Sequence, residues 1–206
     1  DGKVEIVGYT KAQSSITIPS EIDGRDVTRI ADGAFENCTA LKSLLNWADI
    51  EYIGASAFKG CTGLKDISIP SETTFIGESA FENCTHMSTL IIWGDITRIE
   101  KNAFKNCSSL DDVSIPSSCE VIEESAFQGC SDMDTLILWG DTNIGNYAFQ
   151  GCSSLEEVSI SSGTEYIGDY AFEGCSSLVD VIMWGRSTKI GKNAFANCPK
   201  LKKVPR

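Results

Sequence analysis

Nine cysteines and one histidine are the residues of this 206-residue chain best suited to nucleophilic, redox or metal chemistry. A catalytic thiol needs a neighbouring base or cation that lowers its pKa, and a zinc site needs several ligands at short spacing. The single histidine is His86, and the sequence contains neither C-x-x-C, H-E-x-x-H nor a glycine-rich phosphate loop. We therefore predict no enzyme activity, no cofactor and no metal site, and a surface position for His86.

The cysteines recur at a fixed interval, which is the strongest regularity in the sequence. Eight are spaced by 23 residues with one step of 22, and only Cys119 lies outside the series. The eight are Cys38, Cys61, Cys84, Cys107, Cys130, Cys152, Cys175 and Cys198. Each lies between a phenylalanine and a leucine or methionine, where a thiol packs as a small apolar group, so we predict buried free cysteines. Disulfides between neighbouring copies are allowed by distance, but they would have to bridge or skip residues that are already packed.

Other positions keep the same interval and define a repeating unit, for example IGASAFKGCTGLKDISIP at 53–70. Isoleucine stands eight residues before each cysteine, Ala-Phe ends three before it, and leucine or methionine stands three after it. A period in the twenties indicates stacked coils, each burying the apolar side of its neighbour. The stretch after the cysteine alternates apolar and polar residues as a half-buried strand does, and SAFKGC predicts a short helical turn.

The pattern IGxxAFxxCxxLxxVxIP resembles the leucine-rich repeat of the BspA type, a family of surface and secreted proteins of host-associated bacteria and some protozoa. The resemblance covers about residues 16–206 and implies an α/β repeat solenoid. This would be a right-handed leucine-rich-repeat array of about eight 23-residue coils, with a parallel β-sheet on one face and short helical turns on the other. The resemblance also implies adhesion to host or microbial surfaces.

The two ends of the chain depart from the repeat. We expect residues 1–29 to form an N-terminal cap with a partial repeat, and residues 30–206 to form the solenoid. Because the last coil is truncated at Arg206, we expect that the native protein continues or that the open end pairs with another copy.

The charge balance limits the classes of partner. The net charge is −12, whereas nucleic acids and anionic membrane surfaces bind through clustered lysine and arginine. No apolar run approaches the roughly 18 residues of a membrane span. We predict neither nucleic-acid binding nor membrane insertion, and a partner with a basic face fits better.

All four tryptophans occur nine residues after a cysteine, in every second coil. The other coils have proline or serine there, and the position seven after the cysteine alternates in the same way between an aliphatic residue and serine. Both positions are predicted to lie on the strand face opposite the core. The predicted ligand-binding residues are therefore Leu45, Trp47, Ile91, Trp93, Ile137, Trp139, Ile182 and Trp184.

Several uses of this tryptophan row are compatible with the sequence. It can bind a protein ligand, helped by acids five residues after the cysteine such as Asp66 and Asp112. It can bind a glycan, because tryptophans stack on sugar rings and the rows are about 10 Å apart. Alternatively, each tryptophan covers its small neighbours structurally, or the face associates with another copy. The aliphatic neighbours favour protein contact, so our hypothesis is a non-catalytic binding or adhesion protein that is secreted or at the cell surface.

Overall fold

The structure is a computed structural model that describes residues 2–8, 13–45, 47 and 49–203. Within these ranges the chain forms short strands and no helix, and therefore no helix that could cross a membrane. In chain order the strands are β1 (Val4–Ile6), β2 (Ser15–Thr17), β3 (Glu21–Ile22), β4 (Arg25–Ile30), β5 (Ser43–Leu45), β6 (Tyr52–Ile53), β7 (Asp66–Ile69), β8 (Phe75–Ile76), β9 (Thr89–Ile92), β10 (Arg98–Ile99), β11 (Asp112–Ile115), β12 (Val121–Ile122), β13 (Thr135–Leu138), β14 (Asn143–Ile144), β15 (Glu157–Ile160), β16 (Tyr166–Ile167), β17 (Asp180–Met183) and β18 (Lys189–Ile190).

Six of the longer strands form one parallel sheet, which we call the wide sheet: β7, β9, β11, β13, β15 and β17, side by side in chain order. Equivalent repeat positions are paired, as Ile67 with Leu90 and Val113 with Leu136. The alternation predicted from the sequence is confirmed, because positions six after each cysteine are buried and positions five are exposed along these strands. Strands β2 and β5 form a separate parallel pair.

Two further parallel ladders lie on another side of each coil. The first contains β1, β4, β6 and β8, and the second contains the two-residue strands β10, β12, β14, β16 and β18. Every strand of these ladders except β1 contains the isoleucine that stands eight residues before a cysteine, for example Ile53 paired with Ile76. These isoleucines point inward and are fully buried in most coils. The fold is therefore a parallel β-solenoid of about eight coils, as the period of 23 residues predicts.

Ladders of identical side chains fill the core. The phenylalanines stack in one continuous column, with ring centroids of neighbouring coils 5.1 to 5.4 Å apart and ring planes within 10° of parallel. Such offset-stacked rings contribute stability beyond the area they bury. Each phenylalanine thus fills the interior of its own coil and also fixes the distance to the neighbouring coil.

The prediction of short helical turns around SAFKGC is wrong. In this segment Ala57 and Lys59 donate to the carbonyls three residues before them, but Ser56 and Phe58 donate to Glu78 and Ala80 of the next coil, at 2.8 and 2.7 Å. Ser56 also has a φ of +55°. An α-helix needs negative φ throughout and an i to i−4 bond at every amide. Here every second amide instead joins neighbouring coils, so the segment is a run of turns that strengthens the stack.

The cysteine series is buried and free of disulfides, as predicted. All nine cysteines are free, and within the series only Cys38 and Cys198, near the two ends, are half-buried. The thiols donate to the phenylalanine carbonyl of the preceding coil, for example Cys61 to Phe35 at 3.0 Å and Cys107 to Phe81 at 3.2 Å. Burial raises the pKa of the Cys61 thiol to about 12, so the reactive thiolate is suppressed.

The N-terminal segment covers the first coil with strands of its own. Strand β1 pairs in parallel with β4, and β3 pairs with β4 as a short antiparallel hairpin. The β1–β4 pairing is irregular, because Val4 lies opposite Val27 and Glu5 lies opposite Arg29. Thr28 is therefore skipped in this ladder. The assignment of residues 1–29 as a cap distinct from the array stays a prediction.

Candidate binding face

The outward side of the wide sheet carries a row of exposed apolar side chains. Trp93, Trp139 and Trp184 are 65%, 67% and 71% exposed, and Ile91 and Ile137 are 42% and 41% exposed. We call Ile91, Trp93, Ile137, Trp139, Ile182 and Trp184 the apolar row. They come from the ends of β9, β13 and β17, where the strand alternation directs positions seven and nine after the cysteine away from the core. Ile182 is half-buried.

Trp47 does not join the apolar row, which corrects the expectation of four exposed tryptophans. It is 8% exposed and packs edge-on against Phe58, with ring centroids 6.2 Å apart and planes at 82°. Burying an indole against the phenylalanine column removes a large apolar area from water. Leu45 of the same coil stays 51% exposed but has no exposed tryptophan beside it.

A sequence signal distinguishes Trp47 from the other three tryptophans. Trp93, Trp139 and Trp184 are each followed by glycine, whereas Trp47 is followed by alanine. A Cβ added to Gly140 would lie 2.5 Å from the Ser117 carbonyl of the preceding coil. Glycine, which has no Cβ, therefore allows the backbone after an exposed tryptophan to lie closer to the neighbouring coil than it could with any other residue at this position.

Two of the exposed indoles are held by hydrogen bonds to the preceding coil. Trp93 Nε1 donates to Ser68 Oγ at 2.9 Å, and Trp139 Nε1 donates to Ser114 Oγ at 2.7 Å. These serines are the small residues that alternate with the aliphatic ones at position seven. The bonds orient the rings back over the neighbouring strand and use the polar atom of each indole, while most of each ring stays open to solvent. An oriented aromatic ring loses less side-chain entropy when a partner binds.

Carboxylates crowd the beginning of β11, β13 and β15 in the same sheet. Asp112 on β11 and Glu157 on β15 occupy the position five after the cysteine, where the sequence predicts acids on this face. The acids one residue earlier in their repeats, which are Asp111, Asp134 and Glu156, were not predicted. Carboxylate oxygens of Asp111, Asp112 and Asp134 all lie within 4.8 Å of one another. The charge of Asp134 is the main cause that raises the pKa of Asp111 above its ordinary value. Their signal was present in the sequence, as an acid four residues after three successive cysteines.

A shallow cavity joins the acids to the apolar row. Its volume is about 380 Å³. It is lined by Asp134, Ile137, Glu156, Glu157 and Ser159, together with other residues of β13. The lining therefore combines acidic side chains with aliphatic ones. This combination suits a basic side chain with an apolar stem, or a basic residue next to an apolar one.

The single histidine of the sequence, His86, lies in a turn ahead of β9. His86 is exposed, and its Nδ1 lies 2.6 Å from the Thr62 carbonyl, so this nitrogen donates to the backbone. The same nitrogen lies 3.4 Å from the hydroxyl oxygen of Thr85, the residue before it in the chain. The prediction that His86 lies at the surface is confirmed.

The stacked coils, the parallel wide sheet and its exposed outer face define a leucine-rich-repeat solenoid. The chain belongs to the family described as BspA type leucine rich repeat region: residues 9–134 and 142–205 match it, in six copies. No curated protein matches the chain in sequence.

Solved structures share this fold. The leucine-rich repeat protein of T. pallidum is 27% identical with a TM-score of 0.73, and the match covers 98% of this chain and 85% of that one. A leucine-rich cell surface protein of Faecalibacterium prausnitzii A2-165 is 25% identical with a TM-score of 0.66, covering 100% and 72%. The pneumococcal vaccine antigen PcpA, 23% identical with a TM-score of 0.69 over 94% and 50%, is similar in fold alone.

Proposed function

We propose that this protein is a non-catalytic binding protein that acts at a cell surface or after secretion, and that its apolar row and the adjacent acids bind a protein ligand. The observation that carries the proposal is the exposure of Trp93, Trp139 and Trp184, each at 65% or more, in one row. Repeated large apolar side chains on a sheet face are typical of interaction surfaces, and tryptophan is enriched among residues that dominate binding energy.

The chemistry of the proposed ligand follows from the neighbours of the row. Asp111, Asp112 and Asp134 repel one another, and a basic group would relieve that repulsion. The fitting ligand segment is an extended peptide that carries lysine or arginine beside aliphatic or aromatic residues. The similarity to a structure described as a cell surface protein supports the proposed location.

Glycan binding is the second candidate, supported by the open indole rings. A sugar platform also needs polar groups beside the ring. The residues next to the tryptophans on the same strand face are Ile91, Ile137 and Ile182, and two of the three indole nitrogens are already bonded to serine. These observations favour a protein ligand.

A peptide-display selection tests the proposal. Random 12-residue peptides are selected on the protein and depleted on the double variant Trp93→Ala/Trp139→Ala. We expect enrichment of peptides that combine Lys or Arg with aliphatic or aromatic residues. Their affinity should fall at least about tenfold in the double variant, because truncated aromatic anchors cost on the order of 2 kcal/mol.

Tyr166→Ala is the matched control, since Tyr166 is an aromatic residue 38% exposed on the two-residue strand β16, away from the wide sheet. It should leave peptide affinity unchanged. Selected peptides that are acidic, or that bind the double variant as tightly as the original protein, would overturn the proposal.

A further inference from the structure

A second cavity, separate from the apolar row, lies at the N-terminal coils and is lined mainly by acids. Its volume is about 380 Å³. We call it the acidic cavity and define it by Glu21, Asp26, Thr28, Asp49, Glu51 and Glu72. Asp26, Asp49 and Glu72 occupy one repeat position in three successive coils, 23 residues apart, so their backbones are about 5 Å apart at each step.

The negative charge of the acidic cavity is only partly compensated. Lys3 Nζ donates to both carboxylate oxygens of Glu51, at 2.7 and 2.6 Å. Among the residues that the structure describes, no ion pair involves Glu21, Asp26, Asp49 or Glu72. Several carboxylates therefore face one concave space with a single lysine at its border.

Thr28 supplies an independent sign that this space accommodates a ligand. The residue is 5% exposed, and its Oγ1 is buried without a hydrogen-bond partner. At the same repeat position, Thr142 Oγ1 donates to the Cys119 carbonyl at 2.8 Å and Thr188 Oγ1 donates to the Thr164 carbonyl at 2.9 Å. Thr28 makes no such bond, and it is also the residue of β4 that the β1–β4 ladder skips. A buried hydroxyl without a partner is costly, so its retention inside an acidic cavity points to a donor from outside.

The spread of the carboxylates decides which cation fits. Within the described ranges, the one group of three or more acids whose oxygens converge within 4.8 Å is Asp111, Asp112 and Asp134, and none of them belongs to the acidic cavity. A bare metal ion needs such convergence, because its oxygen ligands lie within about 2.6 Å of it. A guanidinium group is larger, planar and carries five donors in a fixed fork, which suits separated acceptors.

We propose that the acidic cavity binds the guanidinium group of an arginine side chain presented by a protein partner. One N–H donates to Thr28 Oγ1, and the others donate to the carboxylates of Asp26, Asp49 and Glu72. This site is distinct from the apolar row, and an extended partner that engages both would gain affinity from the linkage.

Titration with N-acetyl-arginine amide, followed by amide resonances in NMR spectra, tests this site. We expect saturable shifts that are confined to residues 20–28, 49–51 and 72. Thr28→Val and Asp49→Asn should each weaken binding at least about threefold, since the first removes a hydrogen-bond acceptor and the second removes the negative charge of one. Thr142→Val, the same substitution at the same repeat position five coils further along the chain, should leave binding unchanged. Trp93→Ala/Trp139→Ala should also leave it unchanged, which separates this site from the apolar row.

Three results would overturn the assignment. N-acetyl-citrulline amide is neutral and nearly isosteric, so equal binding of it would exclude recognition of the charge. Equal binding of N-acetyl-lysine amide would exclude the guanidinium fork as the recognised feature. Displacement of the arginine probe by micromolar Ca²⁺ would identify a metal site instead. Because Thr28→Val removes a buried group without a partner, the variant should fold, and its thermal midpoint verifies this.

Discussion

At the scale of single residues, identical side chains at one repeat position differ because their surroundings differ. Trp47 lies against Phe58 in the core, whereas Trp139 lies on the surface with its nitrogen bonded to Ser114. The repeat phase alone assigns both to the outer face. This assignment fails for Trp47, because the local backbone lets its indole pack against the phenylalanine column, and that burial lowers the free energy of the folded state.

The two tryptophans should therefore contribute very differently to stability. Trp47→Ala leaves a large hole in the core and should lower the free energy of unfolding by about 3–5 kcal/mol. Trp139→Ala removes an exposed ring and one hydrogen bond, at a cost below about 1 kcal/mol. Urea denaturation followed by far-UV circular dichroism measures both. Equal losses for the two variants would contradict the placement of Trp47.

Thr28 and Thr142 form a second pair at one repeat position. Thr28→Val removes a buried hydroxyl without a partner and should raise the free energy of unfolding by about 1 kcal/mol, or leave it unchanged. Thr142→Val breaks a 2.8 Å bond and leaves the Cys119 carbonyl without that donor, which should cost about 1–2 kcal/mol. Thermal and urea denaturation of the two variants give the comparison. A loss of stability in Thr28→Val as large as that in Thr142→Val would show that its hydroxyl has a partner within the fold.

At the scale of elements, the sequence predicts the strands and fails at the turns. Alternation after each cysteine identifies the strands of the wide sheet because one of their faces is buried. The turn around Ser56 could not be predicted in the same way. Its left-handed backbone occurs at a repeat position filled elsewhere by Tyr147 and Tyr170, which have no intrinsic preference for it. Bonds between coils, rather than local propensity, hold those residues there.

The buried cysteine ladder predicts a loss of stability at high pH. In the unfolded chain a thiol ionises near pH 9.0, whereas in the folded protein burial raises the pKa of Cys61 to about 12 and that of Cys119 to about 11. Below pH 9 the thiols are protonated in both the folded and the unfolded protein, and their contribution to the free energy of unfolding does not change with pH. Above it the unfolded state loses protons that the folded state keeps, so stability falls, by up to about 1.4 kcal/mol per pH unit for each such thiol.

Urea midpoints between about pH 7 and pH 10.5 measure this dependence. Cys107→Ala, which removes one fully buried thiol, should have a smaller slope above pH 9 than the original protein. A midpoint that is constant to pH 10.5, or an identical slope in the variant, would contradict buried free thiols.

At the scale of the whole molecule, a stack of similar coils produces surfaces with different roles. The phenylalanine, cysteine and isoleucine columns hold neighbouring coils together, and every second coil adds a tryptophan to the outer face of the wide sheet. The family and the solenoid could be predicted from the period of 23 residues, because residues one period apart in the sequence lie next to each other in adjacent coils. The acidic cavity could not, because part of its lining comes from the N-terminal segment that departs from the repeat, where the β1–β4 ladder skips Thr28.

The central claim is that Trp93, Trp139 and Trp184 form an open face for a partner of a different kind. Light scattering over a concentration series, with tryptophan emission and acrylamide quenching recorded on the same samples, tests it most directly. We expect a monomer at every concentration, a red-shifted emission maximum and a quenchable contribution from three of the four tryptophans. A dimer with blue-shifted emission that reddens on dilution would show that the face is occupied by a second copy, and would contradict the claim.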